Sequence, residues 1–66
     1  MRNEILPLSR ILAIAGEQAP GDVLRIELDR ERGALVYEVK ILARDGRVRE
    51  VKIDAKTGAI LRVEED

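Results

Sequence analysis

Ser9, Tyr37 and Thr57 are the only side-chain hydroxyls in this chain, and it contains neither His nor Cys. A hydroxyl becomes a nucleophile when a neighbouring base or a depressed pKa activates it. Ser9 falls in the first turn of a predicted helix with no imidazole to serve it, so surface exposure or capping is its expected role. Thr57 precedes a glycine in a loop, where its hydroxyl is expected to bond the local backbone. The carboxylates fare no better. Asp29 and Asp54 are read as belonging to separate loops, each without a basic neighbour suited to proton transfer. Glu64-Glu65-Asp66 form an acidic tail, and three consecutive carboxylates on a free end do not make a defined oxygen cage. The inventory predicts no enzyme, no metal and no cofactor.

Asp54 and Gly58 mean more as turn hardware. An Asp at a turn entry can accept backbone N–H groups further on, and a Gly at the exit takes positive φ without a Cβ penalty. Val51-Lys52-Ile53 precede this Asp and Ile60-Leu61 follow the Gly, so the segment reads as strand, loop, strand. Asp29 and Gly33 have the same spacing. They predict a similar four-residue loop, Arg30-Glu31-Arg32-Gly33, between strands at 23–29 and 34–42. Arg44-Asp45-Gly46 fits a three-residue hairpin loop with Gly46 left-handed.

These loops must be held by a small aliphatic body. The chain has 66 residues, one aromatic (Tyr37), 12 basic and 13 acidic residues, and net charge −1. One domain spanning 1–66 is expected, near the lower limit for a self-sufficient core. Balanced charge and the lack of base-stacking aromatics argue against nucleic acid. The longest apolar stretch, 5–16, is too short to span a bilayer and contains Pro7 and Arg10. It also fails as a signal peptide, because Arg10 falls within it. The expectation is a soluble domain, either intracellular or with an export signal already removed.

Leu8, Ile11, Leu12 and Ala15 recur at helical spacing, widened by Ile14, and predict a helix over 7–18 after a lead-in at 1–6. Pro7 is placed as the first helical residue. Gly16 implies either close approach of the helix to a sheet or simple tolerance of its cost. Pro20-Gly21 stop the helix. From Asp22 the period becomes two, and four strands over 22–64 are predicted. The fold class is α+β: one N-terminal helix packed on a four-stranded antiparallel meander.

Register follows from the turns. Closing the first hairpin with Asp29 opposite Ala34 sets Leu28 on Leu35, Ile26 on Tyr37, Leu24 on Val39 and Arg25 on Glu38. Pairing Ala43 with Arg47 sets Tyr37 on Ile53, Val39 on Val51, Glu38 on Lys52 and Lys40 on Glu50. The predicted helix-covered face carries Leu24, Ile26, Leu28, Tyr37, Val39, Ile41, Val51 and Ile53. Tyr37 completes the core there, unless its hydroxyl serves a ligand. Val36, Leu42 and Val48 point to the opposite face, with Leu61 and Val63 as further members. That set is either ordinary sheet-surface composition or a docking face for a protein partner or a second copy.

Gly21, the Leu-Arg-Ile-Glu-Leu strand at 24–28, the Tyr37-Glu38-Val39 run, and Asp54-Ala55-Lys56-Thr57-Gly58 followed by Ile60-Leu61 together resemble the PepSY domain. The resemblance covers about residues 6–64. It implies a non-catalytic module that binds or restrains a peptidase, or acts between proteins at the bacterial cell envelope, in a periplasmic or extracellular setting. The sequence motifs of a peptidase itself do not occur in this chain. A structural domain that dimerises through its open sheet face is the alternative.

Overall fold

The computed structural model describes residues 4–65. Helix α1 runs Leu8–Gln18, followed by β1 Gly21–Glu31, β2 Ala34–Ala43, β3 Val48–Asp54 and β4 Ile60–Glu65. The strands form one antiparallel sheet in the order β1-β2-β3-β4, so the α+β meander expected from the periodicities is the observed fold. Helix α1 lies on β2 and β3. Ile11, Ala15 and Ala19 meet Val39, Ile41, Val51 and Ile53 there, with Leu6, Leu12, Ile14, Ile26, Tyr37 and Ile60 packed around them. Tyr37 is therefore a helix-side residue, as its place in the alternation required.

The helix begins one residue later than predicted. Pro7 has φ −63° and ψ 149°, extended rather than helical, and caps the helix through its carbonyl, which accepts from Arg10 N at 2.9 Å and Ile11 N at 3.2 Å. Gly16 stands in open space, since a Cβ there would have no heavy-atom neighbour within 4 Å. Close approach is not its reason. Gly21 is the position where space is short. It opens β1 opposite Ala43, and a Cβ would collide with the Leu42 carbonyl oxygen and come within 2.9 Å of Ala43 Cα.

The first hairpin is two residues tighter in its closure than the sequence reading has it. Glu31 pairs with Ala34, and Arg32-Gly33 alone make the turn, at φ 51° and 82°. Positive φ at both central residues matches the right-handed twist of the flanking strands, which is why tight hairpins use it. Arg32 takes a conformation that ordinary side chains disfavour, and no Asn-Gly or Asp-Gly signal announces it. As a result Leu28 lies opposite Tyr37, Ile26 opposite Val39, Glu27 opposite Glu38 and Arg25 opposite Lys40. A slip of two preserves faces. A register shift between Val23 and Arg25 does not, and it sets Val23 opposite Ile41 with Leu24 as the extra residue.

The predicted helix-covered face is consequently too wide. Val39, Ile41, Val51 and Ile53 are fully buried and Ile26 and Tyr37 half-buried, whereas Leu24 and Leu28 remain 52% and 48% exposed. The second hairpin agrees with the sequence throughout. Ala43 N donates to Arg47 O at 2.8 Å, Gly46 has φ 86°, and Val39–Val51, Glu38–Lys52 and Lys40–Glu50 are opposed.

Because Gly16 occupies an open helical position, Gly16→Ala should raise stability by about 1 kcal/mol, the difference in helix propensity. Urea unfolding of the two proteins reads this directly, and an unchanged or lowered midpoint would mean that the glycine answers a packing need.

Candidate functional site

The loop after β3 is held by a dense set of hydrogen bonds. Asp54 Oδ1 accepts from Lys56 N at 2.9 Å and from Thr57 N at 3.0 Å. Thr57 Oγ1 accepts from Ala59 N at 3.2 Å. Gly58 N donates to Asp54 O at 2.8 Å, and Asp54 N donates to Ala59 O at 2.9 Å. The loop N–H groups that Thr57 and Lys56 aim at Asp54 hold its carboxyl below the ordinary carboxylate range. Gly58 has φ 82°, and a Cβ there would stand 3.0 Å from both Ile14 Cδ1 and Leu6 Cδ1. Ala55 is fully buried, donates to Leu35 O at 2.9 Å and accepts from Leu6 N at 2.7 Å. The loop thus ties the end of the sheet to the lead-in of the helix. Asp54 and Thr57 accept from the loop backbone and Gly58 takes positive φ, the geometry expected of such a turn.

The outer sheet face is charged and partly roofed. Glu31 is level with Ala34 on β2, and Lys52 is level with Glu38. The Glu31–Lys52 ion pair, at 3.3 Å, therefore crosses the strand above Val36, which lies midway between those rows. Val36 is only 1% exposed, although it points away from the helix. The expectation that Val36 heads an accessible docking face is corrected by this cover. Arg62 also reaches Glu31, at 3.4 Å, and Glu38 lies 3.9 Å from Lys52. Burial raises Glu38 above the ordinary carboxylate range, with Lys52 acting against the shift.

The other members of the predicted face do not form one patch. Leu42 and Val48 are opposite each other on the outer side, Leu42 exposed and Val48 half-buried. Val63 lies opposite Val51, on the helix side, where β4 extends beyond the helix and leaves it 43% exposed. Leu61 occupies the irregularity between the Ile53–Ile60 and Lys52–Arg62 pairs. The meander thus divides the five residues among a covered site, an outer pair and the β4 edge.

Asp29 is a strand residue opposite Val36, accepting from Arg30 N at 2.8 Å, rather than a loop residue. Ser9 is exposed on α1, whose start has no side-chain cap. Glu64 and Glu65 alternate sides: Glu64 pairs with Arg62 at 3.1 Å, and Glu65 with Arg49 at 3.1 Å and Arg47 at 3.3 Å. Asp66 lies outside the described residues. Among the described residues no three carboxylates converge as metal ligands, and no helix is long and apolar enough to cross a membrane.

Two features were not anticipated from sequence. A shallow groove of about 230 Å³ lies at the end of α1, lined by Gln18, Ala19, Pro20, Ala43, Arg44, Asp45 and Arg49. It is smaller than the roughly 300–1,000 Å³ usual for small-molecule sites. Its acid is already committed, since Arg49 binds Asp45 at 2.7 Å and, with Arg47 N, holds that carboxyl below its usual range. The other feature is the apolar edge of β1, which the tight first turn and the bulge leave uncovered. The alternation of Ile26 and Leu28 is visible in sequence, but the helix's reach is not.

Known proteins resemble this chain in sequence or in fold. The family model described as "Peptidase propeptide and YPEB domain", PepSY, matches residues 5–64. The uncharacterized protein YkoJ of Bacillus subtilis (strain 168) is 40% identical over 53 residues, which are 80% of this chain and 31% of that protein. A crystal structure of a candidate lipoprotein from Clostridium difficile 630 superposes with TM-score 0.89 at 27% identity, covering all of this chain and 43% of that one. The chain spans about a third of the curated relative and under half of the structural neighbour.

Two outcomes test the loop. Gly58→Val should lower stability by more than about 1 kcal/mol, because a β-branched residue at positive φ adds strain to the clash with Leu6 and Ile14; equal urea midpoints would contradict the geometry. Asp54 has a folded pKa below its unfolded value, so its contribution is complete above about pH 4 and lost as pH falls through the folded value. Asp45 acts in the same direction and Glu38 in the opposite one. Asp54→Ala should therefore be less stable at neutral pH and lose less on acidification than the parent; parallel pH profiles would remove Asp54 from the acid limb.

Proposed function

From the premise that the chain belongs to the PepSY family, we propose that it is a non-catalytic protein-binding module that regulates or inhibits a peptidase at the bacterial cell envelope. The observation that carries the reading is the use made of its reactive side chains. Asp54 and Thr57 accept from the backbone of their own loop, and Asp45 is held by Arg49. No activated nucleophile arises from such an arrangement. The family description names peptidase propeptides, and the structural neighbour is a candidate lipoprotein, which together support the peptidase partner and the envelope setting.

The contact surface fitting this role lies outside the turn loops. Leu42 and Val48 form an apolar pair on the outer face, flanked by Lys40 and Glu50 two residues inward. A small apolar centre with charged neighbours is the composition of a modest protein interface.

The test is a titration of this domain into a thermolysin-type metallopeptidase encoded in the same genome, following hydrolysis of a small chromogenic peptide. A saturable fall in rate, weakened by Leu42→Glu, is the expected result. An unchanged rate together with no heat of binding at high micromolar concentration would overturn the peptidase reading.

A further inference from the structure

We propose that β1 pairs antiparallel with β1 of a second copy of this chain, across a two-fold axis at Ile26. Strand β1 is 11 residues long and ends the sheet, hydrogen-bonded to β2 alone among the described strands. Its other edge carries backbone groups that no described strand pairs, of the kind that recruit a further strand, with Arg30 N there taken by Asp29 Oδ1. Leu24 and Leu28 stand about half exposed beside that edge. Ile26, between them, packs at the margin of the core.

Charged residues on an edge strand ordinarily block pairing. Here their order does the reverse for one register. With Ile26 opposite Ile26, each Arg25 faces the Glu27 of the other copy, while Leu24, the extra residue of the bulge, lies outside this paired stretch. Arg25 and Glu27 already meet within one chain at 2.6 Å, with both side chains exposed at 61% and 47%. Two copies would close these four groups into a square of alternating charge.

The neighbouring registers fail on the same residues. An axis at Arg25 sets Arg25 on Arg25, and an axis at Glu27 sets Glu27 on Glu27. An axis at Leu28 opposes Glu27 to Asp29. An axis between Ile26 and either neighbour puts Ile26 opposite a charged side chain, Arg25 or Glu27, and reverses the faces. The β1–β2 ladder already opposes Glu27 to Glu38 and Arg25 to Lys40, and further like-charge rows on the same residues would add to that cost, which favours the axis at Ile26 over its neighbours. The two-fold axis is then perpendicular to the sheet. Both helices lie on one side of a continuous sheet, and the exposed Leu28 of each copy lies on that side.

This proposal does not depend on the peptidase reading, and a charge exchange tests it apart from that reading. Sedimentation equilibrium of the parent should show a dimer at high micromolar concentration. Arg25→Glu and Glu27→Arg should each weaken self-association by more than about tenfold through like-charge contacts, with far-UV circular dichroism unchanged. An equimolar mixture of these two variants should form a heterodimer. One copy then presents only carboxylates at positions 25 and 27, and the other only guanidinium groups, so both cross-strand contacts join opposite charges. The double variant should dimerise as the parent does. A parent that stays monomeric overturns the proposal, as do single variants that keep the dimer or a mixture that does not associate. A parental dimer abolished only by Leu42→Glu would also overturn it, by assigning the contact to the outer face.

Discussion

A helix with its side chains is about 10–12 Å across, and strands in a sheet are spaced about 4.8 Å apart. One helix can therefore cover two strands fully, and this sheet has four. Most of the molecule's character follows from that mismatch. The covered strands, β2 and β3, supply Val39, Ile41, Val51 and Ile53 to the closed core. The flanking strands keep helix-side aliphatics that nothing roofs: Leu28 on β1 and Val63 on β4. The chain offers no aromatic layer to extend the cover, since Tyr37 is alone and already at the core margin.

The helix needs a fixed position to cover even two strands. The Asp54–Gly58 loop provides it by backbone contacts and not by side-chain chemistry. Ala55 receives Leu6 N–H and gives its own N–H to Leu35, so lead-in, loop and β2 form one relay. Gly58 then lies against Leu6 and Ile14, near enough that a side chain would push them away. A polar motif that looks like a site by its acid and hydroxyl is in this way the seat of the helix. The outer face is closed by a different means, with the Glu31–Lys52 pair reaching from β1 to β3 across the strand that carries the buried Val36.

What is legible in the sequence depends on whether a local signal exists. Arg44-Asp45-Gly46 is a strong turn signal, and the charge pairs beyond it agree on a single register, so the β2–β3 hairpin is readable to the residue. The helix is equally plain from Leu8, Ile11, Leu12 and Ala15. The first hairpin is not readable, because Arg32 is an ordinary residue that tertiary pairing drives to positive φ. That one turn has further effects. With Glu31 read as loop, its reach across Val36 stays hidden, and Val36 looks accessible. The irregularities at Leu24 and Leu61 likewise leave no mark in an alternating pattern of aliphatic residues. The family resemblance, resting on the loop and the Tyr37-Glu38-Val39 run, is unaffected, since those parts lie in or beside the well-determined hairpins.

Each strand of the meander pairs with its neighbour in sequence, so nearly all of the sheet is made from contacts between residues close along the chain. Loop-closure entropy is small for such contacts. The link from Leu6 to Ala55 and the packing of α1 on β2 and β3 reach further, joining the two ends of the fold. Closing the core is thereby left to segments far apart in sequence, while the three hairpins need only neighbouring strands to form.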